Sequence, residues 1–147
     1  MQKQMLKIFS IFIIFYFSFQ SLFANEYFLT LRNDKVNLRQ GPSFEYPIKL
    51  FYKKKYLPVL VQDKSENFRK IRDHENNTGW IHISQLSKKK AAITVEEDQL
   101  IFNKPSIYSK PLAILKRGRL CKIHKCKNEW CKVSVEKYKG WVKKDIL

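Results

Sequence analysis

Cys121, His124, Cys126 and Cys131 sit close together near the end of the chain, with four residues between successive cysteines. Three thiolates and an imidazole form a ligand set that zinc accepts, but the short C-x2-C pairs of common structural zinc sites are missing, so no metal is expected. A disulfide asks for less. Cys126 and Cys131 need only face each other across the KNEW stretch of a hairpin, where cross-strand distances suit a bridge. Cys121 is then the odd thiol. A nucleophilic cysteine is disfavoured, because Cys121 and His124 stand three residues apart and odd spacing on a strand sends side chains to opposite faces. His74 and His82 are read as surface or packing residues. The chain has no phosphate-binding glycine loop, no HExxH helix and no convergent carboxylates, which points away from an enzyme and implies no cofactor.

Oxidation requires export, and the first 24 residues supply the signal. Lys3 and Lys7 precede an apolar run from Ile8 to Phe19, and Ala24 offers a small residue for cleavage, the pattern of a secretory signal peptide. The run is short for a permanent span, which needs roughly 20 apolar residues; retention as an anchor is the alternative. Residues 1–24 are therefore set apart as a signal segment, and the mature protein is expected in the periplasm or outside the cell, where disulfides persist. Losing Lys3 and Lys7 takes the basic residues from 29 to 27 against 13 acidic ones, so the formal charge falls from +16 to +14.

The elements that must position these residues come twice. GWIHISQL at 79–86 and GWVKKDIL at 140–147 share a Gly-Trp pair and a leucine six residues after the tryptophan. Gly79, Trp80 and Leu86 align with Gly140, Trp141 and Leu147 at a spacing of 61, and Phe68 aligns with Trp130 at 62. Pro42 and Ser43 align with Pro105 and Ser106 at 63, and Thr30, Asp34, Val36 and Leu38 with Thr94, Asp98, Leu100 and Phe102 at 64. An ordered series whose offset drifts only at loops is the mark of an internal duplication. Each copy reads as short alternating strands separated by turn residues, without a convincing helical period, so the fold class is all-β. The copies span 27–87 and 91–147. The glycine, tryptophan and leucine are assigned to closing each unit, with the tryptophans packed.

N-L-R-Q-G-P-S at 37–43, Phe68 with Ile71, and the GWIHISQL ending resemble the bacterial SH3-like (SH3b) family. WCKV at 130–133 and YKGWVKKDIL at 138–147 make the second copy resemble a divergent member, with F-N-K-P-S where the first has R-Q-G-P-S. The resemblance implies two tandem small antiparallel barrels and a binding module, with peptidoglycan or an envelope protein as partner; nucleic acid is not expected, because an exported protein normally lacks access to it. It also implies that aromatics near the hairpin loops can line a ligand groove. The candidates are Phe44, Tyr46, Tyr52 and Phe68 in the first copy, and Ile107, Tyr108 and Trp130 in the second, with core packing as the competing role. An adaptor that docks another envelope protein and binds no wall ligand is the second reading. KKK at 53–55, KKK at 88–90 and KRGR at 116–119 spread positive charge over both copies and their junction. Such a field attracts acidic polymers or anionic headgroups, or serves solubility alone.

Overall fold

A computed structural model describes residues 26–147, so the signal segment lies outside the described residues. The described chain is built of strands and two single-turn 3-10 helices. The first module comprises β1 (Tyr27–Leu31), β2 (Val36–Arg39), β3 (Ile48–Tyr52), β4 (Pro58–Ser65), β5 (Phe68–Arg72), β6 (Thr78–His82) and β7 (Leu86–Ser87). The second comprises β8 (Ala91–Ile93), β9 (Gln99–Phe102), β10 (Pro111–Leu115), β11 (Leu120–Lys127), β12 (Trp130–Val135) and β13 (Tyr138–Lys143). The sheets run β3-β2-β6-β5-β4-β1-β7 and β10-β9-β13-β12-β11-β8, antiparallel at every pairing. The all-β, two-sheet architecture expected from the repeat is the one the chain adopts.

Alternation dictates the two cores. Along β12, Cys131, Val133 and Val135 turn inward while Trp130, Lys132 and Ser134 turn out, the period of two that a half-buried strand requires. Leu31, Val36, Leu38, Val59, Ile71, Ile81 and Leu86 pack with Tyr52, Leu57 and Val61 in the first core. Ile101, Leu115, Cys121, Cys131, Val133, Val135, Val142 and Ile146 make the second. The central hairpins close through two-residue turns with left-handed Glu66 (φ 45°) and Asn128 (φ 52°), the backbone twist that tight hairpins favour.

Pairing corrects the front of the repeat by one residue. Leu31 N–H donates to Leu57 O, and Thr94 N–H donates to Arg119 O in the same place of the second sheet. Arg39 and Phe102 are the residues opposite Trp80 and Trp141. The spacing is thus already 63 at the first strand and stays so through β3, Thr94 answers Leu31 rather than Thr30, and Phe102 answers Arg39 rather than Leu38. A one-residue slip exchanges the faces of a strand, so the correction decides which side chains can be compared.

The tryptophans also change role. Gly79 and Gly140 face the core where strands cross closely: an added Cβ would meet Arg39 O at 2.7 Å and Phe102 O at 2.5 Å, respectively. Their neighbours Trp80 and Trp141 therefore point to the outer face and are half-buried there, not packed in the core. Leu86 is buried as the closing residue, whereas in the second copy Ile146 takes the deeper place and Leu147 is half-buried against the cluster.

Lys88–Lys90 joins the modules and is fastened on both sides. Thr30 Oγ1 donates to Lys89 O at 2.8 Å, and Ile123 N–H donates to Lys90 O at 3.0 Å. Ile93 of β8 packs against the first module's core.

Candidate functional site

The outer face of β5 and β6 carries the best-formed recognition geometry. Phe68 is buried, yet it lies outside the core cluster, on the opposite face from Ile71. It pairs across the strands with His82, and their rings sit 5.1 Å apart, near perpendicular. The loop after β2 folds Phe44 over both, 5.2 Å from Phe68 and 5.0 Å from His82. Such tilted contacts are the arrangement that ring quadrupoles favour. Phe44 keeps 64% of its surface exposed, so the cluster is a platform with a covered base and an open top.

Arg39 fixes that loop. Its guanidinium donates to Phe44 O at 3.0 Å and Tyr46 O at 2.8 Å and lies 5.5 Å from the Phe44 ring. Gly41 is needed because Tyr46 covers it, its ring carbons 2.5 Å from where a Cβ would stand. Trp80, opposite both Arg39 and Lys70, continues the same face. Nδ1 of His82 accepts from Ser84 N–H at 3.3 Å and contacts Ser84 Oγ at 2.7 Å, which fixes the ring orientation.

The second module reproduces the place with other residues. Trp130 packs edge-on against Phe102 at 5.7 Å, again outside the core cluster, while Ile107 and Tyr108 are exposed on the loop above. Lys125 and Lys132 approach the Trp141 ring at 5.8 and 5.9 Å. Phe102 replaces Arg39, so this loop lacks the arginine clamp; Lys104 N–H donates to Ser109 Oγ instead.

The groove candidates thus divide. Phe44 and Phe68 come together in one platform, with Tyr46 half-exposed beside it, and Trp130 sits at the matching place of the second module. Tyr52 is a core residue: its hydroxyl donates to Asp73 Oδ2 at 2.9 Å, so it cannot line a groove. Burial, then the hydrogen bond to Asp73 and its charge, push the phenol well above its ordinary range. Asp73 is buried and also accepts from Glu75 N–H, Asn77 N–H and Asn77 Nδ2, tying down the 73–77 turn. Burial would raise its carboxyl, but these donors outweigh that effect and hold it below the usual value.

Cys126 and Cys131 are directly opposed in the β11–β12 register and joined as a disulfide. Cys121 is a free, fully buried thiol, pushed up to about 11 by burial. His124 Nε2 meets Ser134 Oγ at 2.6 Å, a pair made possible by the irregularity between Ile123 and Lys125. Burial and then Lys139, Lys122 and Lys132 lower its basicity; none of these neighbours is a carboxylate that could orient it.

Sequence reasoning missed His82 and a crevice of about 940 Å³ between the modules. Tyr27, Phe28, Leu60, His74, Lys89 and Ile93 are among its lining residues. Tyr27 and Phe28 are 45% and 71% exposed, an aromatic pair to which the second copy has only Lys90 and Ala91 as counterpart. That asymmetry between otherwise aligned strands was the available signal.

The family model described as bacterial SH3 domain matches residues 32–88 and again 95–147. No curated protein matches the chain. Among solved structures it is similar to NlpC2 and NlpC1 from Trichomonas vaginalis, at 12% and 13% identity, each with a TM-score of 0.38. The alignments cover 83% and 86% of this chain and 47% of each of those. An NlpC/P60 family protein from Bacillus cereus matches at 12% identity and a TM-score of 0.38, over 82% of this chain and 55% of that one. The chain thus spans about half the length of these structures.

Proposed function

The chain belongs to the bacterial SH3 domain family, and from that premise we propose that it is an exported, non-enzymatic binding module of the cell envelope that holds peptidoglycan or a peptide in its outer-face grooves. One observation carries the reading. Phe44 is presented to solvent on a base of Phe68 and His82, with its loop clamped by Arg39. An exposed aromatic that is already ordered loses little freedom on binding, the condition for a recognition hot spot. The absence of catalysis is part of the same proposal. Its support is that the thiols are bridged or buried and that His124 and Ser134 have no carboxylate behind them.

Co-sedimentation of the protein with isolated peptidoglycan through a salt series tests this. Binding that persists at high salt and falls about tenfold in Phe44→Ala, with a smaller loss in Trp130→Ala, is the expected result. Phe44 is exposed, so its variant keeps the fold. Binding lost with salt alone would reduce the interaction to charge attraction.

The adaptor reading has an observation of its own. β3 and β10 end their sheets with Phe51 and Ile114 at 50% and 60% exposure, unpaired edges on which a partner strand can add. No binding to peptidoglycan at any salt, together with one protein crosslinked at β3 or β10, would favour it.

A further inference from the structure

We propose that Tyr56, Lys55, Lys89 and Lys122 form a receptor for a phosphate-bearing anion at the junction of the modules, separate from the aromatic platform. The lysines come from three different segments. Their ammonium groups lie 5.7, 5.7 and 4.8 Å from the centre of the Tyr56 ring. Lys55 belongs to the turn before β4, Lys89 to the connection between modules, and Lys122 to β11 of the second module. Among the described residues none of the three ends in a salt bridge. Like charges gathered without a counter-ion repel one another, so the gathering favours an anion that would neutralise them.

The backbone adds an independent sign. Tyr56 adopts φ 65°, a left-handed conformation that disfavours a side chain. Its N–H donates to Leu31 O, as the N–H of Gly118 donates to Thr94 O, so Gly118 (φ 78°) is its counterpart in the second module. The turn is thus built with glycine in one copy, while the other keeps a strained tyrosine; such strain is characteristic of functional positions. Tyr56 as a whole is half-buried, and the lysines act on its phenol in concert. Burial pushes its titration up, but Lys122, Lys89 and Lys55 more than offset this and hold it below the ordinary value.

The chemistry selects phosphate. Three ammonium point charges around one hydroxyl donor suit a compact, multiply charged oxyanion whose oxygens point several ways. A carboxylate would be better held by a planar guanidinium, and none joins this cluster. In the envelope the group could come from an anionic phospholipid or from a phosphodiester polymer.

The test is calorimetric titration of the protein with tripolyphosphate at fixed ionic strength. Lys89→Gln and Lys122→Gln should each weaken binding about fivefold, and Tyr56→Phe should weaken it while preserving the ring. Lys53→Gln, equally charged and two residues from Lys55, should leave it unchanged. An equal loss in Lys53→Gln, or no binding of tripolyphosphate by the parent protein, would overturn the proposal. Competition by phosphatidylglycerol vesicles identifies the lipid source, and competition by a glycerol-phosphate polymer identifies the wall source; competition by neither overturns the envelope assignment. Phosphate binding and peptidoglycan sedimentation are read on different variants, so either idea can fail alone.

Discussion

The two modules share a backbone plan and fill the same buried place with opposite chemistry. In the first, Tyr52 on β3 donates to Asp73 after β5, two polar groups held inside by four donors to one carboxylate. In the second, the corresponding residues are Leu115 and Val135, both buried and apolar. The polar solution accompanies a longer turn. Residues 73–77 need the carboxylate as an organiser, whereas Val135 and Tyr138 pair directly around a tight turn with Glu136 at φ 51°. The second module instead bridges its central hairpin with a disulfide, which for so short a loop contributes about 2 kcal/mol in the chain-entropy account. The two modules therefore tie the same strand order differently, one with a hydrogen-bond network at the turn after β5 and the other with a covalent link across its central hairpin. The loop clamp, Arg39, is also on one side only.

The largest effect should come from what the modules share. Gly79→Ala and Gly140→Ala each drive a Cβ into a carbonyl oxygen of the crossing strand, an atom that cannot rotate away. Each should cost roughly 3 kcal/mol through overpacking. Denaturant melts followed by NMR, with amide signals assigned to each module, should show loss of the mutated one first. A neutral outcome in either would break the equivalence of the two Gly-Trp elements.

The next effect should separate the modules. Tyr52→Phe removes one donor from a buried carboxylate and should destabilise the first module by about 2 kcal/mol at neutral pH. The sign with pH follows from both partners. The Asp73 carboxyl is depressed in the fold, so its contribution is present above the unfolded value near pH 4 and is lost as pH falls through the lower folded value. Tyr52 is raised, so its contribution is present below about pH 10 and declines above it. Melts of the parent protein at neutral and strongly acid pH should show the first module losing more stability than the second, with Tyr52→Phe narrowing that difference. Equal acid sensitivity in the two modules would show that the Tyr52–Asp73 network does not set it.

How far the sequence disclosed this depends on which physical rule each residue obeys. The duplication and its β character were legible because turn residues and alternation are local. The one-residue slip at the front arose from matching letters: Thr30 and Thr94 are identical, but Thr94 occupies the place of Leu31. A threonine can sit there because its hydroxyl donates to Lys116 O at 2.7 Å. The tryptophans drew attention by size, although steric demand at that step falls on the glycines. Tyr52 read as a groove aromatic because its partner Asp73 lies 21 residues away, and no spacing rule joins them. The Phe44 platform was half legible: Phe44 and Phe68 were candidates from the family resemblance, while His82 entered only through its register opposite Phe68. The junction was legible only as charge: the KKK runs at 53–55 and 88–90 contain Lys55 and Lys89, but their gathering with Lys122 around Tyr56 depends on one module meeting the other.

Cys121 offers the smallest and finest test of the correspondence. It faces Ala92 across the sheet as Val59 faces Leu29, so in the paired frame the thiol stands where the first module has a core valine. Both are fully buried, and free cysteine behaves as a small apolar residue. Cys121→Val should therefore change stability by less than about 1 kcal/mol under non-reducing conditions. In the parent protein the thiol is protonated and enclosed, so an alkylating reagent should label nothing in the folded, unreduced state and one cysteine after unfolding. Labelling of the folded protein would mean that β11 opens away from β8. A loss well above 1 kcal/mol in Cys121→Val would mean that the second core is shaped around sulfur rather than inheriting the valine-sized site of the first.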